Sequence, residues 1–362
     1  MPRIGQDVGR DDEVMMTTMA KQLVMGDVVV ITGARSAIGQ RVVRTLSNDP
    51  HVFEVRTIDS APVDDDESLA SALAGATVLI HLMFVDDTEW RPRGSERDNV
   101  GGARRLLSLA TEVHHVVGLS SALVYGAWPN NPAPLTEDAP LRPNPDFAYA
   151  VQRAQIEQLL ADWVNERPDR TATVLRPCLT LSRDNDGGWI ARSLAAAAGA
   201  RLGEEDPPAQ FLHMDDLASA IDLARRERLD GPYNVAPDGW VPGETVRALA
   251  GARPRLRLPA AVTGRLAEWQ WKFQQGPVPP GLLPYASSTW VIANDRLKSA
   301  GWKPRKTNEQ AYVAGTEARW WTLLTPKRKQ ELALGGVIGL GALVALASSL
   351  LFRRILRRRA SR

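Results

Sequence analysis

Residues 27–46, DVVVITGARSAIGQRVVRTL, constrain this chain more than any other stretch. The apolar run Val28, Val29, Val30, Ile31 leads straight into Thr32-Gly33, and an amphipathic segment begins at once. A short apolar run of this kind reads as a strand covered on both faces. Gly33 permits a sharp turn, Ser36 stands where a second glycine would let backbone approach a pyrophosphate, and Gly39 allows a helix to pack closely on the strand. The N-terminus of that helix would offer free N–H groups and partial positive charge to an anion.

The alternation continues along the chain. Strands are predicted near 27–32, 53–58, 77–82, 115–120 and 172–176, and helices near 37–47, 67–74, 96–112 and 148–165. Short β-rich runs separated by helical periodicity predict an α/β fold, a doubly wound parallel Rossmann sheet. After about residue 180 the pattern loosens at Gly187, Gly188, Pro207, Pro208, Gly231, Pro232, Pro242 and Gly243, which predicts a smaller second domain. Seven of the eleven Trp fall between 240 and 321, and core packing is their preferred reading over a ligand wall.

Asp59 closes the second predicted strand 20 residues beyond Gly39, where a carboxylate accepts hydrogen bonds from adenosine ribose hydroxyls. It would repel a 2′-phosphate, so NAD is favoured over NADP. Arg35 works in the opposite sense, since a guanidinium pairs with such a phosphate.

Taken in order, these and later motifs resemble the extended short-chain dehydrogenases/reductases, the NAD-dependent epimerase/dehydratase family, from about Val28 to Ala236. TGARSAIG looks like the family's TGxxGxxG with Ser36 at the central glycine. VLIHLMF at 78–84 looks like its strand-three end, usually HLAA, and Asn99-Val100-Gly101 like the helix after it. LSSALVYG at 119–126, PLTEDAPLRP, FLHMDDLASAI at 211–221 and GPYNVA at 231–236 look like its later motifs. The resemblance implies that Gly33, Ala34, Arg35, Ser36, Ala37, Ile38, Gly39, Asp59, His81, Leu82, Met83, Asn99, Ser120 and Pro177 line a bound NAD. It implies that Tyr149 is the general acid or base, that Ser121 hydrogen-bonds the same substrate oxygen, and that the cation four residues after the tyrosine assists. An unperturbed tyrosine is only ~0.1% ionised at pH 7, so the chemistry needs a nearby positive charge. The family uses lysine there; this chain has Arg153, in YAVQR. Arginine keeps the charge but cannot relay a proton, and its planar fork is aimed differently.

The resulting division is a tail over 1–26, a cofactor domain over 27–178 and 209–236, a substrate domain over 179–208 and 237–326, and an anchor over 327–362. Function is read as hydride transfer at a hydroxyl or carbonyl carbon by an NAD(P)-dependent oxidoreductase or epimerase/dehydratase. The alternative is a non-catalytic NAD-binding regulatory or scaffold protein. RPCLTLSRDNDGG lacks the tyrosine-glycine-proline continuation common among nucleotide-sugar enzymes, which weakens a UDP-sugar assignment. Cys178 has no His or Asp neighbour to activate it and is read as non-catalytic.

The remaining features bear on location. Residues 332–352, LALGGVIGLGALVALASSLLF, carry no charge, and at about 1.5 Å per residue they reach across the roughly 30 Å of a bilayer's hydrocarbon. Lys327, Arg328 and Lys329 flank one end and six Arg after position 352 the other. A transmembrane tail anchor is preferred over an in-plane helix, although six Arg crossing would oppose the positive-inside tendency. Gly335 and Gly339 form a GxxxG pair. The first 26 residues lack the apolar run of a secretory signal, so the catalytic domain is expected in the cytoplasm. The formal charge of +2 is more than accounted for by the terminal Arg cluster, so no nucleic-acid partner is expected. One cysteine precludes an intrachain disulfide, and five scattered His predict no metal site. The expected partners are a small-molecule or lipid-linked substrate, the membrane, and a second copy in a homodimer.

Overall fold

The computed structural model describes residues 26–59, 66–84, 97–182, 190, 191, 193–195, 207–250 and 280–316. In chain order these form β1 Asp27–Thr32, α1 Ala37–Leu46, β2 Val52–Ile58, α2 Asp66–Leu73, β3 Val78–His81, α3 Gly102–Leu109, β4 His115–Leu119, α4 Ala148–Asn165 and β5 Thr171–Pro177. They continue with β6 Leu179–Leu181, β7 Phe211–His213, α5 Met214–Arg226, β8 Gly231–Val235, α6 Gly243–Ala250, α7 Leu283–Ser287, α8 Asp295–Ser299 and α9 Asn308–Thr316.

Six strands form one sheet in the order β2-β1-β3-β4-β5-β8, every pair parallel. Successive side chains of a strand point to opposite faces, and both faces here are apolar. Val29, Ile31, Val78, Ile80, Val117 and Leu175 pack with α1 and α5 on one side, through Val42, Leu46, Leu217 and Ile221. Val30, Leu79, Val116 and Val174 face α2, α3 and α4 on the other, against Leu69, Leu106, Ile156 and Leu160. Because each strand must be apolar on both sides, the runs read as continuous rather than alternating.

Most expected elements are observed within a residue or two of their predicted positions. The helix predicted over 96–112 differs. It opens as a wide π-type turn over Arg97–Gly101, becomes regular only from Gly102, and stops at Ala110, whose ψ is 55°. Paired glycines at 101 and 102 are weak helix formers, so the first turn has little to hold it regular. β8 was not predicted as a strand, since GPYNV carries three poor strand formers. It pairs only with β5, at the sheet edge, where Pro232 is tolerated.

β6 and β7 form a separate parallel pair. With α9 they enclose a third core, in which Leu179, Leu181, Phe211, Tyr285 and Tyr312 meet Leu123, Phe147 and Ala150. Trp302 is buried, with its indole N–H on Ser219 Oγ at 3.0 Å, and Trp290 packs on Tyr285. Both are packing roles, whereas Trp240 is exposed. Among the described residues no helix is long and apolar enough to cross a membrane. The expected anchor at 332–352, like the tail before residue 26, lies outside the described residues.

Candidate active site

β1 is flanked by β2 and β3, so successive connections leave it toward opposite sides and a crevice opens at its carboxyl end. The glycine turn lies there. Gly33 has φ +71°, and a Cβ at that position would stand 2.9 Å from the backbone of Met83. A Cβ at Gly39 would stand 2.3 Å from Gly33 O. Both glycines are therefore required by the close approach of α1 and of β3's exit. Ser36 needs no such freedom, with φ −64° and ψ 160°. Its hydroxyl donates to Gly33 O at 2.7 Å and accepts from the Gly39 N–H at 3.1 Å, so it caps α1 and closes the turn on itself. Ala34 and Ile38 are buried beneath the turn, and Ala37 packs against the same core.

Asp59, just past β2, reaches this turn. Its Oδ1 accepts the Arg35 N–H at 2.9 Å and its Oδ2 lies 3.3 Å from Arg35 Nε. The Arg35 side chain is 86% exposed and that of Asp59 22%, so the pair stands at the rim. At the exit of β3, Thr32 Oγ1 accepts the Met83 N–H at 3.2 Å and shares a hydrogen bond with His81 Nδ1 at 2.9 Å. Burial, and then the charge of Arg153, push His81 down to about 4, which keeps the ring neutral. Its Nε2 is buried and has no partner among the described residues. Leu82 is buried and Met83 partly so.

On the other side of the crevice, α4 runs along the end of β4. Tyr149, Arg153 and Glu157 are spaced by four, which places them one turn apart on one face. Arg153 Nη1 donates to Leu119 O, the last carbonyl of β4. Its guanidinium carbon lies 3.9 Å from the centroid of Phe84 and 5.3 Å from that of Tyr149. Glu157 accepts from Ser120 Oγ and from Arg176, whose Nη2 is 2.6 Å from Oε2. Burial disfavours the Arg176 charge, yet Glu157 outweighs it and the guanidinium is held above its ordinary value. Arg176 also donates to Tyr125 Oη at 2.8 Å, and Tyr125 donates to Asn234 Oδ1 at 2.8 Å. Burial pushes Tyr125 up to about 12 despite Arg176, so this phenol is a structural donor.

Ser121 follows Ser120 and is buried; its Oγ accepts the Leu123 N–H at 3.3 Å and caps the short 3₁₀ turn Ala122–Tyr125. The hydroxyl proton is not used in that contact. Asn99 is placed differently from the glycine turn, with its amide on Gln152 Oε1 of α4 at 2.9 Å, where it ties the α3 entrance to α4. Pro177 ends β5, opposite Val235, and Cys178 beside it is buried with its thiol pushed up by burial. Phe84, Glu157 and Arg176 were not singled out from sequence. The four-residue step from Tyr149 to Arg153, repeated once, could have identified Glu157; Phe84 carries no signal until its ring is seen over Arg153.

A parallel sheet that reverses order at β1, a glycine turn capping α1, and a tyrosine with a cation one turn later define the extended short-chain dehydrogenase/reductase class. The chain belongs to the NAD-dependent epimerase/dehydratase family, whose sequence profile matches residues 29–236. It is 24% identical over 332 residues to the uncharacterized protein y4nG of Sinorhizobium fredii, covering 82% of this chain and 80% of that one. Its fold is similar to that of the Thermus thermophilus UDP-glucose 4-epimerase in complex with NAD, at 20% identity and TM-score 0.59, covering 80% of this chain and 97% of that one. It is also similar to RMD from Pseudomonas aeruginosa complexed with NADPH, at 20% identity and TM-score 0.58, with the same coverage. At such identities the structural likeness establishes the fold.

Proposed function

We propose that this chain is an NAD-dependent oxidoreductase or epimerase/dehydratase acting at a hydroxyl- or carbonyl-bearing carbon. The observation that carries the reading is Arg153. One turn after Tyr149, it is bonded to the carbonyl that immediately precedes Ser120-Ser121, so tyrosine, cation and serine strand are tied together. The Gly33 turn, the α1 N-terminus and Asp59 fit a dinucleotide, with the adenosine end at Asp59. His81 Nε2, at the end of β3 beside Thr32, is buried and unpartnered among the described residues, an orphaned polar atom next to the glycine turn. The dinucleotide, when bound, accepts or returns a hydride.

In this reading Tyr149 Oη takes or gives the proton of the substrate oxygen, and Ser121 Oγ donates to that oxygen. Arg153 supplies positive charge beside the phenol but passes no proton, so the proton leaves by another route. Asp59 favours NAD over NADP, in keeping with the NAD bound by the Thermus relative. That relative is a UDP-glucose 4-epimerase, which puts nucleotide sugars among the substrates to offer; the missing tyrosine-glycine-proline continuation after β5 counts against them, so lipid-linked sugars are offered beside them. The apolar segment 332–352 would hold the active domain at the cytoplasmic face of a membrane, with homodimers as the working form. Recovery of the full chain in the soluble fraction without detergent would end the anchor proposal.

The test is mass spectrometry of nucleotide and ligand co-purifying with the full chain in mild detergent, followed by turnover assays on nucleotide and polyprenyl-linked sugars. Turnover should vanish in Tyr149→Phe while NAD affinity stays within about threefold. A wild-type chain that binds NAD and turns over none of these points to the non-catalytic alternative, and one that binds no NAD at millimolar concentration ends the reading.

A further inference from the structure

We propose that Phe84 is a positioning residue of this site: its ring holds the Arg153 guanidinium against Tyr149, and dinucleotide binding depends on that stack. The inference rests on the reading above, that Tyr149 and Arg153 face the nicotinamide end of a bound dinucleotide. Arg153 is 6% exposed, so its charge has been withdrawn from water and needs compensation. Among the described residues, the contacts that hold it are a backbone carbonyl, Leu119 O, and two rings. Phe84 is the closer ring at 3.9 Å, and it meets Tyr149 edge-on, with centroids 5.0 Å apart and planes at 65°. The guanidinium therefore sits in a corner built by both rings.

A planar cation can lie flat on Phe84 while one N–H reaches Leu119 O. An ammonium is a point charge and makes only one of these contacts well. Phe84 thus accounts for arginine at this position. It also connects the two halves of the crevice. The preceding residue, Met83, bonds Thr32 and lies against Gly33 of the phosphate turn, while Phe84 lies against α4. Displacing its ring would release Arg153 from Tyr149 without touching the turn.

The test is calorimetric titration with NAD of the full chain in mild detergent, for wild type, Phe84→Leu, Phe84→Tyr, Arg153→Met and the Phe84→Leu/Arg153→Met double variant, each also melted thermally. Leucine keeps apolar bulk but offers no ring face, so Phe84→Leu should weaken NAD roughly tenfold. Phe84→Tyr keeps the face and should stay within about twofold of wild type. In the Arg153→Met background, adding Phe84→Leu should cost nothing further. The proposal is overturned if Phe84→Leu binds NAD like wild type, or if it costs the same in both backgrounds, since a ring that merely packs or touches the nucleotide itself would behave so. A wild type without NAD affinity overturns the function proposed above together with this inference; a wild type that binds while Phe84→Leu is indifferent overturns this inference alone.

Discussion

At the scale of single residues, Asp59 and Arg35 meet at the end of the turn that the proposed function gives to the adenosine. Asp59 spends one oxygen on the Arg35 N–H and the other on its guanidinium. A ribose bearing free hydroxyls can take over the second contact, leaving Arg35 to swing into water, where it already stands. A 2′-phosphate would meet the Asp59 carboxylate at close range, with Arg35 as the cation beside it. Asp59→Asn is therefore expected to weaken NAD about tenfold while NADP gains or holds. Arg35→Ala should weaken NADP and leave NAD nearly unchanged. Calorimetry with both nucleotides reads this directly, and parallel losses for the two would refute it. Both residues were legible in the sequence because spacing alone puts a carboxylate at the end of the second strand. That Asp59 already holds Arg35 was not, because the contact spans two strands' ends.

At the scale of elements, β1, the turn and α1 act as one unit whose geometry depends on missing side chains. Ser36 replaces a glycine without backbone strain and adds a cap, so the departure from the family pattern at that position leaves the turn and α1 intact. Gly39 is different. Its Cβ would collide with backbone, 2.3 Å from Gly33 O and 2.7 Å from Ala34 Cα, and backbone cannot turn aside as a side chain can. Gly39→Ala should cost about 1–3 kcal/mol and abolish measurable NAD binding. Gly102→Ala is the control: a Cβ there meets nothing among the described residues, and replacing glycine in a helix is neutral or mildly stabilising. Denaturant melts and nucleotide titrations of the two variants separate these outcomes. Equal effects at both positions would show that α1 does not need its close approach.

At the scale of the whole molecule, folding shifts two buried histidines on adjacent strands, whose ordinary titration falls in the mildly acidic range. His81 is pushed down to about 4, by burial first and Arg153 second. His115 is pushed down to about 3, by burial first and then by Arg228, and its Nε2 meets Ala224 O of α5 at 3.2 Å. Each is neutral in the fold, whereas in the unfolded chain it protonates near 6.5. Above that pH their contribution to stability is complete. As pH falls below it the unfolded chain gains protons that the fold refuses, and stability drops by about 1.4 kcal/mol per group per pH unit. The loss levels off only near the folded values. Urea midpoints should therefore fall between pH 6.5 and 4, and His81→Asn should lessen the slope; a slope unchanged by that substitution would exclude His81 as a cause.

Five of the sheet's six strands, the helices α1 to α4 and the glycine turn were determined by the sequence itself, because apolar runs buried on both faces and glycines at fixed spacing are local properties; β8 and α5 were not among the predicted elements. Tyr149, Ser121 and Arg153 could be marked in the same way, as short motifs. Only the tertiary structure decided what surrounds them. Phe84 comes from the end of β3, Glu157 from two turns along α4 and Arg176 from β5; no local pattern joins them. A planar buried cation is matched by whatever rings and carbonyls the packed helices and strands bring to it, and that matching is made across the chain, over separations of 34 to 69 residues.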